Sequence, residues 1–247
     1  MKNAPFGIEL YLYPTYFIDC NHPDVIEYAH NIIGDEKDKK QQAIKLYNAI
    51  RDGFRYNPYN INLKHEELKA STLLNRASKS GYCTEKACLL AACLRVVGIP
   101  SRMCFFDVRN HIGVDKYIEI IKTDVLTFHA CTDVFLDNKW VKATPAFNKT
   151  LCDKLGVAAL EFDGENDSIF QEFNDRSKVK IEDGKRSFTG YIVNQGAKYL
   201  QKIKSWGCQE FGVYIIDKNS NFRYKTDKAT ELKVQPIAVD QNSFEAK

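Results

Sequence analysis

The sequence contains no run of about 18 apolar residues, so no segment is suited to cross a membrane as a helix. Its opening, MKNAPFGIELYLYPTYF, has no apolar stretch behind a basic start, and no secretory leader is expected. No block of a single charge stands out. The 35 Lys and Arg residues face 32 Asp and Glu, a net charge of +3. That balance argues against a nucleic-acid or membrane-surface partner. No Cys-x-x-Cys pair occurs, which removes the usual frame of a structural zinc site. No D-x-[DN]-x-[DN]-G run occurs, so no calcium loop is expected. Internal repeats and low-complexity tracts are absent. Histidine is scarce at five, which narrows the search for a catalytic base.

What is present fits a globular protein. A chain of 247 residues with 44% hydrophobic content can bury one substantial core, with room for an appendix. Eight cysteines lie at 20, 83, 88, 93, 104, 131, 152 and 208. Without a leader or a dense short-spaced framework, reduced thiols in the cytoplasm are the expectation. Most should be small buried hydrophobes. Cys83, Cys88 and Cys93 are five apart, so each step turns about 140° around a helix, and the three do not converge on one ion. No metal and no cofactor is expected.

The pattern predicts the following elements. Residues 8–13 alternate and read as an early strand. Asn21 to Asp24 read as a helix start and Gly34 as its stop. Ala43, Ile44, Leu46, Tyr47 and Ile50 form a helical stripe ending near Gly53. Residues 57–60 read as a loop, and 63–74 as short helix and connection. A strong helix spans about 83–97. A strand follows at 102–106, then a polar loop at 107–111. Residues 118–121 are ambiguous. Residues 128–136 and 139–144 read as a hairpin across Asp137-Asn138. A polar stretch at 163–187 reads as linker, with a further helix at 194–206 and a hairpin at 211–226. Helices first and antiparallel strands afterwards predict an α+β fold.

One stretch stands out: SGYCTEKA, from Ser80 to Ala87. Ala87, Leu90, Ala91, Leu94 and Val97 recur at helical spacing, so this helix buries a face. Gly98 falls where a left-handed cap belongs, and Pro100 follows. Cys83 therefore lies in the first turn of a buried helix. Free N–H groups and the positive dipole end there favour a thiolate and can receive an oxyanion. Gly81 leaves room for substrate backbone. The plainer alternative is that Cys83 is another inert buried thiol, the commoner fate of cysteine near a helix.

A thiolate nucleophile needs a base, and a third group to orient it. His22 and His30 read as structural or exposed, His65 as solvated, and His111 as a loop residue. His129 opens a strand. If Asp137-Asn138 is a two-residue turn, partner numbers sum to about 275, as in Leu136 with Lys139. His129, Cys131 and Asp133 then share a face with Lys142 and Thr144, and Thr144 is a diagonal neighbour of His129. Its place suits the group that orients the imidazole.

GYCTEKACLLAACLRVVGIPSR followed by FHACTDVFLDNKWVKATPAF resembles the core of the transglutaminase-like superfamily, a papain-like thiol acyl-transfer fold. The resemblance covers about residues 40–150. It is closest to a bacterial branch carrying a segment like Trp140 to Asn148. It implies helices packed on an antiparallel sheet, with the nucleophile at the start of the central helix. It implies a core at 1–160 and a C-terminal extension at 161–247. It places the nucleophile at Cys83 and the general base and acid at His129. The family's aspartate position falls on Thr144, a departure. A hydroxyl can accept the imidazole N–H but brings no charge, and a neutral amide in that role of a serine triad costs about 10⁴ in kcat. Asp133, Asp107 and Asn148 are further candidates for that role. Tyr56 matches an aromatic position that lines the cleft or donates to the oxyanion.

The resemblance implies attack on an amide or peptide carbonyl through a thioester, completed by water or by an amine, with a protein or peptide as partner. Two alternatives stand beside it. One is a catalytically weak or inactive binding domain, favoured by Thr144. The other is an N-acetyltransferase-like enzyme, favoured by the faint match of Gly81-Tyr82-Cys83-x-Glu85 to that signature.

Overall fold

The computed structural model describes residues 8–59, 65–110, 125–169 and 191–192. Expectations for 1–7, 60–64, 111–124, 170–190 and 193–247 lie outside these, including the helix at 194–206, the hairpin at 211–226, and His111 and Cys208.

The first element departs from expectation. Residues Ile8–Leu12 form a short 3₁₀ turn, not a strand. Alternation over so few residues cannot separate the two, and among the described residues none pairs with this segment as a strand; Tyr11 instead packs its ring on Trp140, centroids 5.1 Å apart. Helix α1 (Pro23–Ile33) has Pro in its first turn and the His22 ring accepting the Asp24 amide at 3.3 Å. It stops at Gly34 with φ of 56°. Helix α2 (Lys39–Gly53) is capped by Asp38, which accepts from the Gln41 amide at 2.8 Å. A 3₁₀ turn (His65–Leu68) and the short helix α3 (Ala70–Asn75) complete the N-terminal half.

Helix α4 (Cys83–Val96) is the centre of the molecule. The sequence predicts one buried face, but the helix is buried nearly all round, including Glu85, Lys86 and Arg95. α1, α2 and α3 pack on one side and the sheet on the other. Its polar groups are therefore matched internally: Thr132 Oγ1 donates to the Ala87 carbonyl and Ser101 Oγ to the Ala91 carbonyl, both at 2.8 Å. Gly98, with φ of 74°, ends it. The Ile99 amide reaches the Leu94 carbonyl and the Gly98 amide the Arg95 carbonyl, the paired bonds of a Schellman cap.

Strands β1 (Arg55–Tyr56) and β2 (Ser80–Gly81) form a small parallel pair in front of α4. The main sheet is antiparallel, in the order β5 (Lys139–Ala143), β4 (Val125–Leu136), β3 (Ser101–Asn110), β6 (Tyr191–Ile192). Asp137 and Asn138 both have positive φ, 48° and 63°, the mark of a type I′ turn. The register follows the predicted sum, with Leu136 facing Lys139 and Thr132 facing Ala143. β3 runs on through the segment predicted as a loop, and its pairing with β4 shifts between Phe106 and Val108. Asp107 thus lies in a strand, at the shift; its polarity misled because the bulge absorbs the break in pattern.

Helix α5 (Lys149–Leu155) had no counterpart in the sequence reading. Residues 161–169, assigned there to the extension, dock on β5. The Thr144 amide donates to the Ser168 carbonyl at 3.1 Å and the Ser168 amide to the Lys142 carbonyl at 2.8 Å.

Candidate active site

β2 leads directly into α4. The loop before it turns through Lys79, whose φ is 44°, and the parallel pairing sets Tyr56 beside Gly81. The Asn57 amide donates to the Gly81 carbonyl at 3.0 Å. Gly81 is required here, but not to admit substrate. A Cβ would stand 2.8 Å from Leu73 Cδ1 and 2.9 Å from Glu85 Oε2. Glu85 explains the crowding. Its Oε2 accepts the Tyr82 amide at 3.0 Å, and its Oε1 accepts from Arg76 Nη2 at 2.6 Å. The glutamate at the third helical position thus caps the start of α4. The spacing from Tyr82 to Glu85 was the signal for this role.

Cys83 follows at the first position of α4 and is 9% exposed. Burial pushes its thiol up. Hydrogen bonds oppose that, first from the Ala130 backbone and then from the Thr84 side chain and amide. Ala130 is the residue after His129, so the pairing of α4 with β4 brings the first turn of the helix to the His129 stretch of strand.

His129 is buried at 3% exposure, and burial draws it down to about 4. At neutral pH the resting site therefore holds a thiol and a neutral imidazole.

Thr144 follows the last residue of β5, on the face of Lys142, as the register requires. Its carbonyl accepts from Tyr47 Oη at 3.1 Å. Its hydroxyl is buried and has no hydrogen-bond partner among the described residues. Asp133 shares the face of His129 along β4, but its carboxylate is engaged. Arg102 Nε approaches one oxygen at 3.1 Å and Lys142 Nζ the other at 2.7 Å. Arg102 also lies over the Trp140 ring at 4.0 Å. Cys104 and Cys131 face each other beside Asp133, close enough for the three to share an ion. The two cations already holding Asp133 disfavour one. Asn148 is engaged too: its Oδ1 accepts the Tyr56 amide at 2.9 Å and its Nδ2 donates to Thr150 at 2.6 Å. Tyr56 packs on Phe147 with ring centroids 4.8 Å apart.

The sequence reading missed Lys86, one turn beyond Cys83. It is fully buried, and its ammonium donates to the carbonyls of Arg51, Phe54 and Ala146 at 2.9, 2.7 and 2.7 Å. A lysine inside an apolar helix pattern is the only sequence trace of it.

Residues 26–145 match the family model described as Transglutaminase-like superfamily, and this part of the chain has the transglutaminase-like fold of mixed helix and sheet. Two solved structures are similar. One is a candidate cysteine protease from Cytophaga hutchinsonii, at 17% identity and a TM-score of 0.46, with 58% of this chain and 43% of that one covered. The other is a candidate protease from Parabacteroides distasonis, at 15% identity and a TM-score of 0.33, with 53% and 26% covered. The chain spans less than half the length of either. No curated protein matches the sequence. Among the described residues no helix is long and apolar enough to cross a membrane.

Proposed function

We propose that the chain is a thiol-dependent acyl-transfer enzyme acting on an amide or peptide bond in the cytoplasm. The observation that carries this reading is the placement of Cys83 in the first turn of α4, its thiol against the Ala130 backbone beside His129. In this reading His129 takes the thiol proton as sulfur attacks the carbonyl carbon. The amides at the start of α4 receive the oxyanion, and the protonated imidazole then delivers its proton to the leaving amine. A thioester remains on Cys83, and water or a second amine releases the acyl group. Tyr56 borders the acyl-binding side, and Thr144 stands where an orienting group belongs.

A specific observation favours a second reading, a weak or inactive binding domain. The Thr144 hydroxyl has no hydrogen-bond partner among the described residues, and burial favours the neutral forms of both Cys83 and His129. Acylation by an activated ester, p-nitrophenyl acetate, with mass mapping of all eight cysteines, on wild type and His129→Ala, separates the two. The enzyme reading expects Cys83 to label fastest and His129→Ala to slow it at least tenfold. A Cys83 that labels no faster than Cys20 and ignores His129 leaves the binding domain.

A further inference from the structure

Lys86 is the buried titratable group that this chemistry does not use. Its three acceptors come from two segments far apart in the sequence. Arg51 and Phe54 belong to the end of α2 and the residue beyond it, just before Tyr56. Ala146 belongs to the connection from β5 to α5. Extending the β4–β5 register sets Ala146 level with His129. Asn148, two residues on, holds the Tyr56 amide. One ammonium on the nucleophile helix, one turn beyond Cys83, thus ties both segments.

We propose that Lys86 is a positioning residue of the candidate site: its ammonium fixes the end of α2 and the β5–α5 connection against the start of α4, and that tie weakens when the ammonium loses a proton. An ammonium has three N–H groups for three carbonyls. A neutral amine has two, so one carbonyl is left without its donor and the charge assistance is lost from the others.

The surroundings put this change within the neutral range. Burial draws Lys86 down to about 7. The charged and titratable neighbours are Asp52 and Arg51 from α2 and Cys152 from α5, with Asp52 and Cys152 holding the proton and Arg51 opposing it. The amine's ordinary value is 10.5. Between about 7 and 10.5 the unfolded chain binds the proton and the folded one does not, so global stability gains from Lys86 as pH rises through this window. Local order around Ala146 moves the opposite way, because an opening that withdraws the Ala146 carbonyl while Lys86 stays buried binds the proton less tightly than the closed arrangement. A residue that serves only the core shows the first effect without the second.

The test is amide hydrogen exchange, corrected for intrinsic rates, on full-length wild type, Lys86→Met and Asp52→Asn from pH 6 to 9. The expected result in wild type is a fall of at least fivefold in protection of the Tyr56 amide and of the amides at 147–152, with amides of α1 as control. Lys86→Met should show low protection there at every pH. Asp52→Asn should move the midpoint down by more than half a pH unit. Protection that is flat with pH in wild type overturns the proposal, as does full protection in Lys86→Met. If Lys86→Met fails to fold, wild type and Asp52→Asn decide alone. The role rests on the site geometry proposed above, and the two fail separately. Protection changes as expected beside an inert Cys83 support the tie and sink the acyl-transfer reading.

Discussion

The Cys83 thiol rests against the backbone of Ala130, one residue past His129. This neighbour relationship supplies a polar contact without a charge, and burial raises the thiol nonetheless. The resting site should therefore not behave as a preformed thiolate–imidazolium pair. The alkylation rate of Cys83 is expected to climb through pH 8 to 9 with no plateau at acidic pH. A plateau near pH 5–6 would show an ion pair that this geometry does not provide.

Thr144→Asp restores a carboxylate at the position where the resembling family has one. A charge within reach of the imidazole favours its protonated form, so His129 should rise from about 4 by on the order of one to two units. Proton NMR titration of the histidine ring reads this directly. The Cys83 alkylation rate at pH 7 should rise with it. No movement of His129 would mean that Thr144 does not face the ring.

His129 also predicts an acid limb of stability. Its folded value lies near 4 and its ordinary value is 6.5, so the unfolded chain binds the extra proton between them. The contribution is complete above about pH 6.5 and is lost as pH falls through about 4. A depression of that size corresponds to on the order of 3 kcal/mol. Urea unfolding from pH 7 to 4 should show a shallower decline for His129→Gln than for wild type.

Gly81→Ala tests the packing under the helix start. The added methyl meets Leu73 and Glu85 at less than 3 Å. Overpacking of this kind costs about 1–3 kcal/mol. A midpoint of urea unfolding unchanged from wild type would refute the crowding.

Glu85→Ala removes the acceptor of the Tyr82 amide and the nearer carboxylate of Arg76, which keeps the Ser80 carbonyl at 2.9 Å and Glu67 at 3.8 Å. The carboxylate is 1% exposed and Arg76 17%. Loss of one partner of a largely buried pair costs about 2–4 kcal/mol. Glu85→Gln keeps the cap and loses the charge, so it should fall between wild type and alanine in thermal unfolding.

Much of this was legible in the sequence. Helical spacing, Pro23, Gly34 and Gly98 set the helices, since each acts on its own few residues. The Asp137-Asn138 turn carried the hairpin, because two positive-φ residues in a row fix a register, and that register placed His129, Asp133 and Thr144 on one face. Tertiary structure decided the rest. Ile8 to Leu12 coiled, packing on α4 and β3 instead of pairing with a strand. Asp107 stayed in a strand because a bulge absorbed it. Asp133 was lost as an orienting group because Arg102 and Lys142 reached it first. Gly81, read as an opening for substrate, proved to be a seat for Leu73 and Glu85. Lys86 joined three carbonyls from segments 32 to 60 residues away. Local pattern reports which face of an element is apolar. It does not report which distant polar group will arrive to satisfy a buried charge, because that partner is chosen only when the layers pack.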